Sequence, residues 1–277
     1  MAQGSSWGGT LTQYSQVSGG VVLLQIYDVA VPVVDLAFGI LNDISLGQLQ
    51  IFSGPDLITG SSANDLIRSQ GGDDRVYGGG GADTVFAGTG ADSLWGGEGR
   101  NYLRGDDGHD SLTGGGEFDD LHGNAGNDTV RGGSGDDWVV GGRDQDELHG
   151  EAGGDIVYGN LGNDTCYGDD GHDLVRGGQQ NDVLYGGAGA DWLSGDRDND
   201  TISGGTGADI FHTFGDAGID RVLDFNPAEG DRVQLDPGTT YSVAQVGADT
   251  VISMGGGGQM TLVGVNMAAL TDGWIFI

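Results

Sequence analysis

Lysine is absent from this sequence and arginine is scarce: ten Arg stand against 42 acidic residues, for a formal charge of −32. Such a chain lacks the basic surface that nucleic acid or an anionic membrane requires, unless a metal ion forms the bridge. A single cysteine, Cys166, precludes an intramolecular disulfide. No run of about 20 apolar residues is present to cross a bilayer. The start has no positively charged segment, apolar run and cleavage site, so no Sec signal peptide is expected. Apolar residues make up only 36% of the chain and glycine contributes 59 of its 277 residues, which argues against a large conventional core. Two catalytic signatures are also missing, the His-Glu-x-x-His of metalloproteases and the Gly-x-Ser-x-Gly of hydrolases.

What the chain does have is a period. Residues 51–212 divide into eighteen consecutive blocks of nine without insertion or deletion, as in Gly78-Gly79-Gly80-Gly81-Ala82-Asp83-Thr84-Val85-Phe86. Position one is Gly in fifteen blocks and position four in thirteen. Position eight is apolar in all eighteen, from Ile58 and Ile67 through Cys166 to Phe211. Positions one to six favour Gly, Asn and Asp, which tolerate the left-handed backbone of tight turns. The last three, such as Thr84-Val85-Phe86, are β-prone, and strand alternation sends the middle one to a single face. The spacing therefore predicts six residues of turn and three of strand per half coil. Two blocks make a coil, and nine coils stacked at about 4.8 Å give a roll roughly 40 Å long with two parallel sheets over a thin core. Cys166 falls at the inward position as a small buried hydrophobe.

Position six carries the chemistry. It is Asp in seventeen blocks: Asp56, Asp65, Asp74, Asp83, Asp92, Asp110, Asp119, Asp128, Asp137, Asp146, Asp155, Asp164, Asp173, Asp182, Asp191, Asp200 and Asp209, with Asn101 the exception. Stacking sets Asp65 over Asp83 and Asp110 over Asp128, and like charges so close cannot all stay ionised without a cation between them. Carboxylates and turn carbonyls are hard oxygen ligands, and Ca²⁺, with six to eight flexible ligands, suits the gap. Within the blocks, thirty-one acids against eight Arg leave −23, while fourteen Asp-over-Asp pairings would bring +28 as divalent ions. Occupancy should be uneven where Ala63, Glu117, Asp144, Gln180 and Asp198 replace the position-four glycine, because a side chain resists positive φ. The alternative for any one Asp is an Asx turn that satisfies local amides.

This repeat resembles the RTX, or haemolysin-type, calcium-binding repeat. The resemblance implies an all-β parallel β-roll with multiple Ca²⁺ ions held between successive loops by the position-six Asp residues, in a protein secreted by a type I system. It also implies an uncleaved secretion signal at the extreme C-terminus, where an acidic residue precedes hydrophobic ones. Asp272-Gly273-Trp274-Ile275-Phe276-Ile277 is similar, with Gly273 intervening. Gly230-Asp231-Arg232-Val233-Gln234-Leu235 and Thr261-Leu262-Val263-Gly264-Val265 resemble the region that follows the repeats in such proteins.

The flanks read as end-pieces: a cap at 1–50 and a β-rich cap with the secretion signal at 213–277. In the first, strands at 11–14 and 21–27 surround a Ser18-Gly19-Gly20 turn, and a helix is predicted over 32–38 from its leading Pro and apolar spacing, with a second helical turn at 43–50. In the second, strands are predicted at 220–225, 231–235, 241–246, 250–254 and 260–265. All five His lie in the blocks, His109 and His172 at position five and His122, His149 and His212 at position nine, as exposed turn or outer-strand residues. The leading expectation is a non-enzymatic, secreted calcium-binding component of a matrix or surface. A polysaccharide-binding accessory module, as attached to alginate epimerases, and an enzyme of unfamiliar type remain as alternatives. Position seven of the even blocks forms an outward apolar ladder, Trp138, Ile156, Leu174, Trp192 and Ile210, which the C-terminal strands are expected to cover; self-association or sugar stacking would otherwise use it.

Overall fold

The structure, a computed structural model, describes residues 54–277 in full and, before them, the backbone of four short strands, Tyr14–Ser18, Val21–Gln25, Val34–Asp35 and Leu49–Gln50. The chain is an all-β parallel solenoid of about ten turns whose alternate strands build two sheets. One sheet takes Asp56–Thr59, Arg75–Gly80, Ser93–Glu98 and onward; the other takes Leu66–Gly71, Thr84–Thr89, Tyr102–Asp107 and onward. Pairing runs in register at eighteen residues, as in Leu57↔Arg75, Leu103↔Leu121 and Leu193↔Phe211. The nine-residue period survives through every coil of the repeat.

Each strand of the repeat from Asp56–Thr59 onward is longer than the predicted three residues. Most run for six, from position seven of one block to position three of the next, as in Thr84–Thr89. The reason lies at position one. Its residue is buried and small, Gly78, Ser69 or Ala87, so the chain stays extended and points a second inward position into the core beside position eight. The bend comes at position two, where φ is positive in every block from Gln70 (77°) to Gly205 (97°). Position-eight residues from Val76 to Phe211 have no exposed surface, Cys166 among them, and form one continuous core two side chains thick.

Outward positions make ladders of their own. On the first sheet Tyr77 stacks on Trp95 at 4.6 Å, and His149, Tyr167 and Tyr185 stack at 4.5 and 4.9 Å. On the second, Arg68 lies over Phe86 and Arg176 over Tyr158. The predicted Trp138–Ile210 ladder is there, but the C-terminal strands do not cover it: Trp138 and Ile156 remain 43% and 44% exposed. The tail reaches only its far end, where Trp192 Nε1 donates to Gln234 Oε1 at 2.9 Å.

Instead of folding back, the tail continues the coil. Ile219–Val222 adds to the first sheet and Arg232–Leu235 to the second, each parallel to its predecessor. Gln259–Leu262 then pairs with Ile219–Val222, the Tyr241–Val246 and Asp249–Met254 hairpin closes that edge, and Ile275–Phe276 closes the other. Ile252, Met254, Met260, Leu262, Phe225 and Leu235 thereby bury the last coil. All five predicted C-terminal strands appear, within two or three residues of their expected bounds.

At the other end Tyr14–Ser18 pairs antiparallel with Val21–Gln25, so the first strand lies later than the expected 11–14 and takes in Ser18 of the expected turn. The helix over 32–38 does not: Val34–Asp35 is extended and pairs in parallel with Asp56–Leu57. Leu49–Gln50 likewise pairs with Ile67–Arg68 rather than ending a helical turn. Exposed first-coil edges offer open N–H and C=O groups, and a strand satisfies them where a helix cannot. The rest of both stretches lies outside the described residues.

If position eight is packed as described, Leu148→Ala opens a cavity with nowhere to collapse and removes about 2–5 kcal/mol of stability. Urea unfolding of wild type and variant measures this, and an unchanged midpoint would show the column to be loosely packed.

Candidate metal sites along the turns

Position six follows the turn and opens the next strand, so its side chain stands at the edge of the roll directly against the neighbouring coil. There the structure builds two columns. Along the first, the backbone N–H of each residue donates to Oδ1 of the next in the order Asp56, Asp74, Asp92, Asp110, Asp128, Asp146, Asp164, Asp182, Asp200. Along the second the order is Asp65, Asp83, Asn101, Asp119, Asp137, Asp155, Asp173, Asp191, Asp209. These bonds span 2.6 Å (Asn101 to Asp119) to 3.1 Å (Asp83 to Asn101). All seventeen predicted Asp residues thus fall into the columns the sequence implied. Their contact differs from both expectations: from Asp74 and Asp83 onward each side chain gives Oδ1 to the backbone N–H eighteen residues earlier, neither facing another carboxylate nor closing a local Asx turn.

The second oxygen is the unusual atom. Oδ2 of Asp74, Asp92, Asp110, Asp128, Asp146, Asp164, Asp182 and Asp200 in one column, and of Asp83, Asp119, Asp137, Asp155, Asp173, Asp191 and Asp209 in the other, is buried without a hydrogen-bond partner. It packs over the position-one glycine of its own block: a Cβ on Gly150 would lie 2.5 Å from Asp155 Oδ2 and 2.7 Å from the Gly168 carbonyl oxygen. Main-chain oxygens crowd the same edge. At position four a Cβ on Gly126 would sit 1.6 Å from the Gly108 carbonyl oxygen, and one on Gly189 would sit 1.4 Å from that of Gly171. Where position four is not Gly, Asp144, Gln180 and Asp198 still take φ of 75–77°, whereas Ala63 and Glu117 do not.

Burial without a partner disfavours the ionised carboxylate. It pushes Asp146 and Asp182 up to about 8, and Asp74, Asp110 and Asp173 to about 7. Asp83, Asp119, Asp128, Asp137, Asp155, Asp164 and Asp209 rise to about 6. In each, the accepted backbone N–H pulls the other way and only partly offsets burial.

A cation fits this donor set. Buried, unpartnered carboxylate oxygens beside packed carbonyl oxygens present hard oxygen ligands only, the chemistry that Ca²⁺ favours. Among the described residues no three His, Cys, Asp or Glu side chains converge, so side chains alone close no site and carbonyls or water must complete it. The histidines stand apart. His109 and His172 are exposed in turns and accept the N–H of Asn127 and Ala190 at Nδ1, while His122, His149 and His212 are half-buried on the outer strands beside Asp120, Glu147 and Asp236.

Two further column members escaped the sequence reading. Asp200 N donates to Asp220 Oδ1 at 3.2 Å and Asp209 N to Asp231 Oδ1 at 3.0 Å, so each column gains a tenth residue beyond the repeat. The signal was there in Asp220-Arg221-Val222 and Asp231-Arg232-Val233, which repeat the Asp74-Arg75-Val76 of a regular block. Spacings of twenty and twenty-two residues instead of eighteen concealed it.

Comparison with known proteins agrees with the geometry. The RTX calcium-binding nonapeptide repeat family matches residues 52–85, 77–112, 86–121, 113–148, 141–175 and 176–211, and the chain belongs to this family. Among solved structures it is similar to the extracellular lipase LipA from Serratia marcescens, at 17% identity and a TM-score of 0.31, over 82% of this chain and 40% of that one. It is also similar to the AlgE6R3 subunit from the Azotobacter vinelandii mannuronan C5-epimerase, at 30% identity and a TM-score of 0.26, over 48% of this chain and 78% of that one. The chain therefore corresponds to less than half the length of the lipase. No curated protein matches it.

The raised carboxyls fix a pH dependence. An unfolded Asp titrates near 3.9, so between about 4 and 8 the folded, cation-free chain binds more protons than the unfolded one, and its stability falls as pH rises through the folded values. Without calcium the β signal in circular dichroism should grow on acidification from pH 8 to about 5. A cation-free fold that is firmest at pH 8 would contradict the burial of these oxygens.

Proposed function

We propose that the chain is a secreted calcium-binding repeat protein that folds when it meets Ca²⁺ outside the cell and serves there as a non-enzymatic extracellular or surface component. The observation that carries this reading is the double column of buried, unpartnered Oδ2 atoms in a chain of net charge −32. Asp74 to Asp200 on one edge and Asp83 to Asp209 on the other would hold the ions, with turn carbonyls completing the sites. Bound Ca²⁺ supplies positive charge to the carboxylate oxygens that have no protein donor. The chain's own residues do the rest: Oδ1 ties each coil to the preceding one, position-one glycine leaves room for the carboxylate, and position two reverses the chain. Because these oxygens come together only when the coils stack, binding free energy is folding free energy. Entry into a calcium-rich exterior would then be the folding trigger, and the type I machinery would handle the unfolded, self-repelling chain first.

Calcium titration of the metal-free protein at pH 7.5 tests this directly, since β structure should appear with an apparent Kd of about 10⁻⁴–10⁻³ M, the range of extracellular calcium modules. A full β spectrum in excess EDTA at low salt would sink the proposal. Export is tested separately. Removing residues 271–277, which include the Ile275–Phe276 strand, should abolish type I secretion in a reconstituted host, and undiminished export would place the signal elsewhere.

A second reading rests on the outer faces. Trp138 and Ile156 are exposed, and the stacked Tyr77–Trp95 and Tyr167–Tyr185 pairs present further ring surface, of the kind on which sugar rings stack. A glycan array and a hydrolase screen on the calcium-loaded protein separate a polysaccharide-binding module, or an enzyme, from a component that does neither.

A further inference from the structure

Among the eighteen position-six residues of the repeat, one is not Asp: Asn101. Its backbone follows the column: Asn101 N donates to Asp119 Oδ1 at 2.6 Å, and Asn101 Oδ1 accepts the N–H of Asp83 at 3.1 Å. Its Nδ2 occupies the place that Oδ2 takes in the flanking blocks. A Cβ on Gly96 would lie 2.5 Å from Asn101 Nδ2, as one on Gly78 would lie 2.5 Å from Asp83 Oδ2 and one on Gly114 would lie 2.4 Å from Asp119 Oδ2. Unlike those oxygens, Nδ2 is satisfied, because it donates to the Gly99 carbonyl at 3.1 Å. Rotating the amide would set its NH₂ against the Asp83 N–H and its oxygen against the Gly99 oxygen, two like-to-like contacts, so the orientation is fixed from both sides.

The same principle operates at the two ends of this column. Asp65 Oδ2 accepts the N–H of Ser61 at 2.6 Å and its hydroxyl at 2.9 Å, and Asp231 Oδ2 accepts the N–H of Asn226 at 2.8 Å. In this column, wherever the run of unpartnered oxygens stops, a protein donor or the Asn101 amide stands in its place.

Resting on the calcium reading above, we infer that Asn101 is a built-in break in one calcium row. An amide NH₂ is a donor and cannot ligate a cation, its carbonyl oxygen is committed to Asp83, and the Gly99 carbonyl it engages is withdrawn from coordination. The Asn101 edge is thereby divided into an isolated Asp83, between Ser61-capped Asp65 and the amide, and an uninterrupted run from Asp119 to Asp209. The opposite edge runs unbroken from Asp74 to Asp200. The chain thus carries one long calcium row and one interrupted row, and the interrupted coil is held by a hydrogen bond that needs no metal.

The test is calcium stoichiometry of the full chain, by equilibrium dialysis and native mass spectrometry at saturating Ca²⁺. Asn101→Asp restores an oxygen in place of the amide and should bind at least one more ion than the wild type. Asp155→Asn plants the same amide inside the uninterrupted run and should bind at least one fewer while remaining folded in calcium. Equal stoichiometry in either variant overturns the inference, and Asp155→Asn decides alone if Asn101→Asp does not fold. A wild type that binds no calcium would instead overturn the calcium reading itself, which keeps the two failures distinct.

Discussion

The structure depends on a carboxylate divided between two tasks. One oxygen of each position-six Asp closes a hydrogen bond to the neighbouring coil, and that bond sets the eighteen-residue register on both edges of the roll. The geometry that makes it possible buries the other oxygen without a hydrogen-bond partner at fifteen positions between Asp74 and Asp209. A buried polar group left without a partner costs about 1–3 kcal/mol, and more when charged, while a whole domain is stable by about 5–15 kcal/mol. Fifteen such groups together exceed that margin. The fully ionised, metal-free coil is therefore not a stable state at neutral pH, and protons or cations must accompany folding.

The remaining sequence constraints follow from that carboxylate. Position one is glycine because Oδ2 and a neighbouring carbonyl occupy the space a Cβ would need; Ser69 and Ala87 show that small side chains are accommodated at the margin. Position two reverses the chain, and Gln70, Glu151 and four Asp or Asn residues besides Asp196 accept left-handed φ there because the stacked coil over-determines the turn. Of the two inward positions, one and eight, only position eight is free to be large and apolar. A core this thin gives each coil little stability of its own, so stability accumulates by stacking and the ends must be closed. At the C-terminal end Ile252, Met254, Met260 and Leu262 close it.

Much of this was legible in the sequence because the repeat has no insertions: the two-sheet roll, the inward column from Ile58 to Phe211, and the seventeen Asp residues all follow from a register that can be counted. Three features were not legible. The inward role of position one was hidden, since a glycine in a turn-like string looks the same as a glycine buried in a strand. Asp220 and Asp231 were hidden by insertions of two and four residues that move them out of count while leaving the Asp-Arg-Val signature intact. The segment at 32–38 has a helical apolar spacing, yet Val34–Asp35 pairs with the first coil because an open sheet edge outweighs a local preference. The expected cover over the Trp138 ladder failed for a related reason: the last strands meet a sheet edge with unpaired backbone groups, and extending that edge satisfies more of them than lying across a finished face.

The absence of lysine now has a physical meaning. A flexible ammonium could satisfy the unpartnered oxygens from within the chain and make the fold independent of metal. The repeat's eight Arg residues stand elsewhere, at position nine (Arg68, Arg104, Arg131, Arg176), seven (Arg75), three (Arg143, Arg197) and five (Arg100). Where they form ion pairs they do so on the outer faces, Arg131 with Glu147 and Glu151 and Arg176 with Asp196. Among the described residues no ion pair joins an Arg to a position-six carboxylate. A guanidinium is too large for an edge where even a Cβ collides with an oxygen, so the chain's cations are excluded by size and its column charge is left for small ions to neutralise. Inside the column the chain provides a donor itself at Asn101, with a neutral amide in the space that Oδ2 takes in the flanking blocks.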